Sequence, residues 1–168
     1  MHAIVKIDAI AFKCYQSRMA RSPSEAVVHA WTRLVRAQAT VLAAVEADLK
    51  AAGFPPLAWY DVLLELSRRD GLRPFEIEAR VLLAQYNLSR LLDRLQAAGY
   101  VDRRPCPEDG RGQIVLITTA GRELQKRMWP TYRTAIARHV GDRLSEAEAE
   151  TVARLLEKLT ATSGQAEA

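Results

Sequence analysis

At 168 residues, 49% hydrophobic and 26% charged, the chain is long enough to bury a core and is no disordered tail. Its 24 Lys and Arg outnumber 20 Asp and Glu, a formal net charge of +4, which suits an anionic partner. Lys6, Asp8 and Lys13 interrupt the opening apolar runs before a signal peptide core can form, and no run approaches the ~18 apolar residues of a membrane span. Cys14 and Cys106 lie too far apart in sequence to make a disulfide framework, so a cytoplasmic protein without membrane contact is expected.

Residues 1 to 21 show no clear partner pattern, and three readings stand: a misassigned start, a strap between subunits, or a dispensable arm. The first long helix opens at Ser22-Pro23-Ser24-Glu25, where Ser caps, Pro takes the first helical position and Glu reaches back. It runs to about Ala52. Its apolar set (Val27, Val28, Trp31, Leu34, Val35, Val41, Leu42, Val45, Leu49) exceeds what one small core needs, so part of it is expected to meet a second subunit. Gly53-Phe54-Pro55-Pro56 breaks it, and helical periodicity resumes from Leu57 to Arg69 before Asp70-Gly71. Pro74 to about Arg80 reads as the first helix of a helix-turn-helix, with the turn at Val81 to Ala84.

Residues 83 to 98 form the next helix. Leu88, Leu91, Leu92, Leu95 and Ala98 recur at helical spacing and make one apolar stripe. The opposite face carries Tyr86, Arg90, Asp93 and Ala97, flanked by Gln85, Ser89 and Arg94. Gly99 ends the helix in the left-handed conformation, and a strand follows from Tyr100-Val101 into Asp102-Arg103-Arg104. The return strand is Gln113 to Ile117. Between them, Pro105-Cys106-Pro107-Glu108-Asp109-Gly110-Arg111-Gly112 is too rich in Pro and Gly for a regular ladder and presents Arg111 at a tip. Helix, hairpin and basic tip together are the pattern of a winged helix-turn-helix. Thr118 caps a helix to about His139, with a kink expected at Trp129-Pro130. Gly141 ends it, and Ser145-x-x-Glu148 is a capping box for a last helix with Ala149, Val152, Leu155, Leu156 and Leu159 on one stripe. The tail from Thr160 to Ala168 is small and polar. The fold class is thus mainly α with a small β-hairpin wing.

Several motifs in register make residues 89 to 124 resemble the multiple antibiotic resistance regulator (MarR) family of bacterial transcription factors, and the likeness in order of elements covers roughly residues 24 to 160. The motifs are Ser89-Arg90, the exit Leu95-x-x-x-Gly99-Tyr100-Val101, the wing Asp109-x-Arg111, and Leu116-x-Thr118-x-x-Gly121. Leu82 to Asn87 depart from the family's usual turn, and no helix N-cap can be assigned there. The resemblance implies one domain over 1 to 168, a winged helix lobe at 57 to 118 and dimerisation helices at 1 to 52 and 119 to 160. It also implies a homodimer on a pseudo-palindromic operator in double-stranded DNA, its half-sites ~10 bp apart. Candidate DNA contacts are Gln85, Tyr86, Asn87, Ser89, Arg90 and Arg94 in the major groove, Arg104 on the wing strand and Arg111 in the minor groove. Asp109 is read as orienting a nearby arginine.

From residue 80 to 127, nine basic residues face five acidic ones, and Arg90, Arg94, Arg104 and Arg111 together favour DNA binding over a winged helix used only as a protein-interaction module. In the family an effector pocket lies between dimer lobe and winged helix. Trp31, Trp59, Tyr60 and Asp61, with His29 or Arg36 as anion partners, could line one for a small aromatic or phenolic ligand; the competing reading makes the Trp residues core and Asp61 a cap or hinge. Cys106, with Arg103 or Arg104 beside it, and Cys14 raise a redox switch, against which stands their use as apolar filler. His2, His29 and His139 have no metal-binding spacing, and no nucleophile or phosphate-loop motif occurs. No metal, cofactor or enzyme activity is expected.

Overall fold

The structure, a computed structural model, describes residues 22–81, 87–106 and 112–161. The chain divides into two units, residues 1–39 and 40–168. Helix α1 (Glu25–Ala51) supplies the described part of the first unit beyond residue 24. Its N-terminus falls two residues later than the Ser22-Pro23 reading. Val27 N donates to the Ser24 hydroxyl at 3.4 Å and Val28 N to the Ser24 carbonyl at 3.0 Å, so Ser24 is the cap and Pro23 precedes the helix. Within this unit Val27, Val28, Trp31 and Val35 are exposed.

The second unit takes up the rest of α1 and continues through α2 (Leu57–Ser67), α3 (Pro74–Glu78), α4 (Leu88–Ala97), β1 (Val101–Pro105), β2 (Gln113–Ile117), α5 (Thr119–His139), a short 3-10 turn at Gly141–Arg143, and α6 (Glu146–Thr160). The core is the apolar stripe of α1 to α5 turned inward. Val45 and Leu49 of α1, Leu57, Val62, Leu63 and Leu66 of α2, Ile77 of α3, Leu91, Leu92 and Leu95 of α4, and Leu124, Met128 and Ala135 of α5 form one cluster with Val101 and Val115 of the hairpin. Asp48 ties the C-terminal part of α1 to the end of α5, accepting from Arg138 at 3.2 Å and lying 2.9 Å from His139 Nε2.

The two strands are antiparallel, in a register that sets Val101 opposite Ile117, Arg103 opposite Val115 and Pro105 opposite Gln113. The ladder reaches further than the prolines suggested. Pro105 has no N–H to give, yet Cys106 N donates to the Gly112 carbonyl at 2.8 Å and closes the next rung. Leu72 adds a third edge, exchanging hydrogen bonds with Val115 at 2.9 and 3.0 Å, and so anchors the segment before α3 to the hairpin.

Asn87 caps α4, its side chain accepting from Arg90 N at 3.2 Å, and the helix begins at Leu88 rather than at residue 83. An Asn at that position satisfies a donor that the first helical turn leaves open. Gly99 follows at φ 76°, the left-handed conformation expected of it. α5 runs through Pro130 unbroken from Thr119 to His139, with the Thr134 hydroxyl donating to the Pro130 carbonyl at 3.0 Å. The Ser145 capping box is formed, Ser145 N and Oγ both reaching Glu148 Oε2 at 2.9 and 2.7 Å. α6 then presents Val152, Leu155, Leu156 and Leu159 to solvent, Leu159 at 70% exposure. Among the described residues no helix is long and apolar enough to cross a membrane.

Candidate nucleic-acid interface

Leu91, Leu92 and Leu95 anchor α4 in the core, which leaves Ser89, Arg90, Asp93 and Arg94 on its exposed side. Arg90 and Arg94 sit one turn apart and, with Asn87, Leu91, Trp59, Ala58 and Pro56, line a concavity of about 190 Å³. Trp59 is held there edge-on against Tyr100, ring centroids 5.8 Å apart, so α2 buttresses both the start of α4 and its exit.

The exit is clasped a second time. The Thr118 hydroxyl donates to the Gly99 carbonyl at 2.8 Å and accepts from Gly121 N at 3.1 Å, while Thr118 N donates to the Tyr100 carbonyl at 3.1 Å. One residue, through its hydroxyl and its backbone N–H, thus joins the end of α4, the base of the wing and the start of α5.

Along β1 the charged residues separate by face. Asp102 and Arg104 lie on the exposed side and pair at 3.2 Å. Arg103, on the other side, reaches back to α4 and binds Asp93 at 2.7 Å. At the strand's end Cys106 is buried, with Arg73 Nη2 at 3.1 Å from its sulfur. The described guanidinium in contact with this thiol is that of Arg73, from the residue before α3, while Arg103 and Arg104 pair with Asp93 and Asp102. The burial of Cys106 departs from the exposed setting a redox-sensing thiol needs.

The sequence candidates distribute unevenly. Ser89, Arg90, Arg94 and Arg104 are exposed on α4 and the wing strand, and the Asn87 side chain is engaged as the cap. Gln85, Tyr86, Asp109, Arg111 and Cys14 lie outside the described residues. His29, Trp31 and Arg36 belong to the first unit, where His29 and Arg36 share an exposed basic face with Thr32 and Arg33, and Trp31 is 64% exposed. Trp59, Tyr60 and Asp61 belong to the second unit. There Tyr60 and Asp61 are buried, at 5% and 6% exposure. Tyr60 stacks on Trp129, 6.2 Å between centroids, meets Tyr132 edge-on at 5.2 Å, and accepts a hydrogen bond from Gln125 at 3.2 Å. Burial, the Asp61 carboxylate and the Tyr60 phenol together push the Tyr132 phenol above its usual pKa, so it stays a hydrogen-bond donor across the neutral range.

Sequence reading missed the Asp93–Arg103 pair, the Arg73–Cys106 contact and the Tyr60, Trp129, Tyr132 cluster. Each joins different elements, so no periodicity records it. The Asn87 cap had a signal, an Asn just before an apolar-periodic run, that the longer helix assignment obscured.

A three-helix core carrying a two-stranded wing after its last helix defines a winged helix-turn-helix protein. Residues 52–112 match the MarR family. An HTH-type transcriptional regulator of Bacillus subtilis (strain 168), YkoM, is 31% identical over 111 residues, 66% of this chain and 71% of that protein. The chain belongs to the MarR family and is a transcriptional regulator rather than an enzyme. Among solved structures it is similar to Sco3205, a MarR family regulator from Streptomyces coelicolor in complex with DNA, at TM-score 0.74 and 24% identity over 85% of this chain and 91% of that one. It is also similar to BpsR of Bordetella bronchiseptica, whose DNA binding is regulated by 6-hydroxynicotinic acid, at TM-score 0.71 and 23% identity over 85% and 99%. At those identities the two structures speak for the fold.

Proposed function

We propose that the chain is a homodimeric repressor that reads a pseudo-palindromic operator and is released from it by a small aromatic or phenolic anion. The observation that carries this reading is the exposed Ser89, Arg90 and Arg94 face of a helix whose opposite face is locked into the core. Side chains of this kind in a major groove contact phosphates and base edges, arginine pairing with guanine through two parallel hydrogen bonds. Arg104 would extend the contact to the flanking backbone, and Arg111 and Asp109, outside the described residues, are proposed from the sequence as the minor-groove contact and as the group that orients an arginine. Gln85, Tyr86 and Asn87 remain candidates on the approach to the helix.

Dimerisation is supported by two apolar surfaces that are exposed among the described residues, Val27, Val28, Trp31 and Val35 on α1 and Val152, Leu155, Leu156 and Leu159 on α6. Helices at 1 to 52 and 119 to 160 would then form the dimer lobe around a winged helix lobe at 57 to 118. Two copies of α4 would meet consecutive major grooves ~10 bp apart. The ligand reading draws on the regulation of BpsR's DNA binding by 6-hydroxynicotinic acid and on the aromatic and charged residues His29, Trp31, Arg36, Trp59, Tyr60 and Asp61. A ligand acts here by population shift, and its effect is bounded by its differential affinity for the DNA-competent and DNA-incompetent states.

Fluorescence anisotropy with the DNA upstream of the coding region and a scrambled duplex, at two salt concentrations, tests the reading. Tight binding to the first duplex alone, weakening steeply with salt, is expected. Equal weak binding to both duplexes would transfer the winged helix to protein recognition.

A further inference from the structure

We propose that Arg103 is a positioning residue for DNA reading, tying α4 to the wing through Asp93 and setting the angle between them. The inference rests on the DNA-reading surface proposed above and adds two residues that make no DNA contact themselves.

Arg103 sits on β1 with its side chain turned under α4, 21% exposed, and donates to a carboxylate oxygen of Asp93 at 2.7 Å. Its Nε is buried and has no hydrogen-bond partner among the described residues. A guanidinium held with one donor unsatisfied is poorly placed to stabilise the fold, because the buried donor offsets much of what the pair contributes. Its geometry suits orientation better. The Thr118 clasp already pins the wing to the end of α4 at Gly99 and Tyr100. The Leu72–Val115 bridge and the Arg73–Cys106 contact hold the hairpin to the segment before α3, and neither reaches α4. The Asp93–Arg103 pair is a second polar tie between the wing and α4 itself, further along both the helix and the strand than the Thr118 clasp, and two ties to one helix fix the angle to it.

The pair also changes the charge that DNA meets. Asp93 lies between Arg90 and Arg94 on α4, and its side chain is 62% exposed. Alone, its carboxylate would repel the phosphates those arginines attract. Paired with Arg103 it is neutralised, and the arginines act without opposition.

This leads to a test by sign. On net charge alone, Asp93→Asn removes an acid from a DNA-facing helix and should tighten binding. The positioning role requires the reverse. We expect Asp93→Asn, Arg103→Met and the double variant each to weaken operator binding about tenfold, the double no worse than the singles, because one tie is lost in all three. Arg103→Lys should retain most of the affinity. The double variant should keep the wild-type salt dependence, since no phosphate contact disappears and neither charge is left unpaired. Hydroxyl-radical footprints should lose protection at the wing while keeping it in the major groove, a change that a merely structural role would not produce. Melting temperatures near wild type would show the variants folded. Tighter or unchanged binding by Asp93→Asn, additive losses in the double variant, or a shallower salt slope for the double variant would each overturn the proposal. Arg90→Ala separates the two readings. If it abolishes specific binding while the tie variants bind normally, only the positioning role falls; if it binds as wild type, the DNA-reading surface falls and this inference with it.

Discussion

Gly121 shows how much one residue can decide. A Cβ at this position would overlap the Tyr100 carbonyl oxygen and come within 2.9 Å of Ile117 Cγ1. Both neighbours belong to the base of the wing, and the first is backbone, so neither can step aside cheaply. Gly121 also donates its N–H to Thr118 at 3.1 Å, which is why Thr118 and Gly121 stand three residues apart. Gly121→Ala is expected to lower stability by about 1–3 kcal/mol, as overpacking does, and to weaken operator binding because the first turn of α5 must lift from the wing. A thermal melt of the variant at wild-type temperature would mean the junction is looser than drawn. The spacing of Leu116, Thr118 and Gly121 was readable as a motif; that its glycine serves a close approach to Tyr100 was not, because Tyr100 lies across the hairpin.

Among the elements, α4 carries the most function on the least length. Its first turn depends on Asn87, whose side chain accepts from Arg90 N at 3.2 Å. Asn87→Ala should cost about 1 kcal/mol through loss of that cap, and Asn87→Asp, which keeps an acceptor, should melt close to wild type. Equal melting of the Ala variant and wild type by circular dichroism would show that Asn87 is free for DNA. The register of α4 in the core was legible from Leu91, Leu92 and Leu95, and its end from Gly99. Its start was not, because the apolar residues Leu82 and Leu83 extend the periodic pattern past the point where the cap stops it. The hairpin behaved similarly. Its strands followed from alternation, whereas the extra rung at Cys106 depends on a partner carbonyl supplied by Gly112.

On the scale of the whole molecule, the apolar stripe of α6 is the feature that most needs a partner. Leu155 is 52% exposed and Leu159 70%, while the acids Glu146, Glu148, Glu150 and Glu157 keep the other faces solvated. A second copy of the chain is the proposed cover. Leu155→Glu is expected to shift the protein to monomer in sedimentation velocity, and to lower operator affinity about a hundredfold, since two linked half-site contacts become independent ones. A variant that remains dimeric would place the interface elsewhere.

What the sequence determined by itself was local. Helical stripes, the capping box at Ser145, the glycine stop at Gly99 and the alternation of the two strands depend on residues within a turn or two of each other. At that range, allowed backbone angles and side-chain period decide the outcome. The tertiary structure alone decided which distant groups meet: Arg103 with Asp93, Arg73 with Cys106, Thr118 with Gly99, and Tyr60 with Trp129 and Tyr132. Those meetings depend on how the helices pack around Leu63, Leu92 and Met128, and on the direction in which the hairpin leaves α4. A linear pattern does not encode that direction, because it is the joint result of many small contacts across the core.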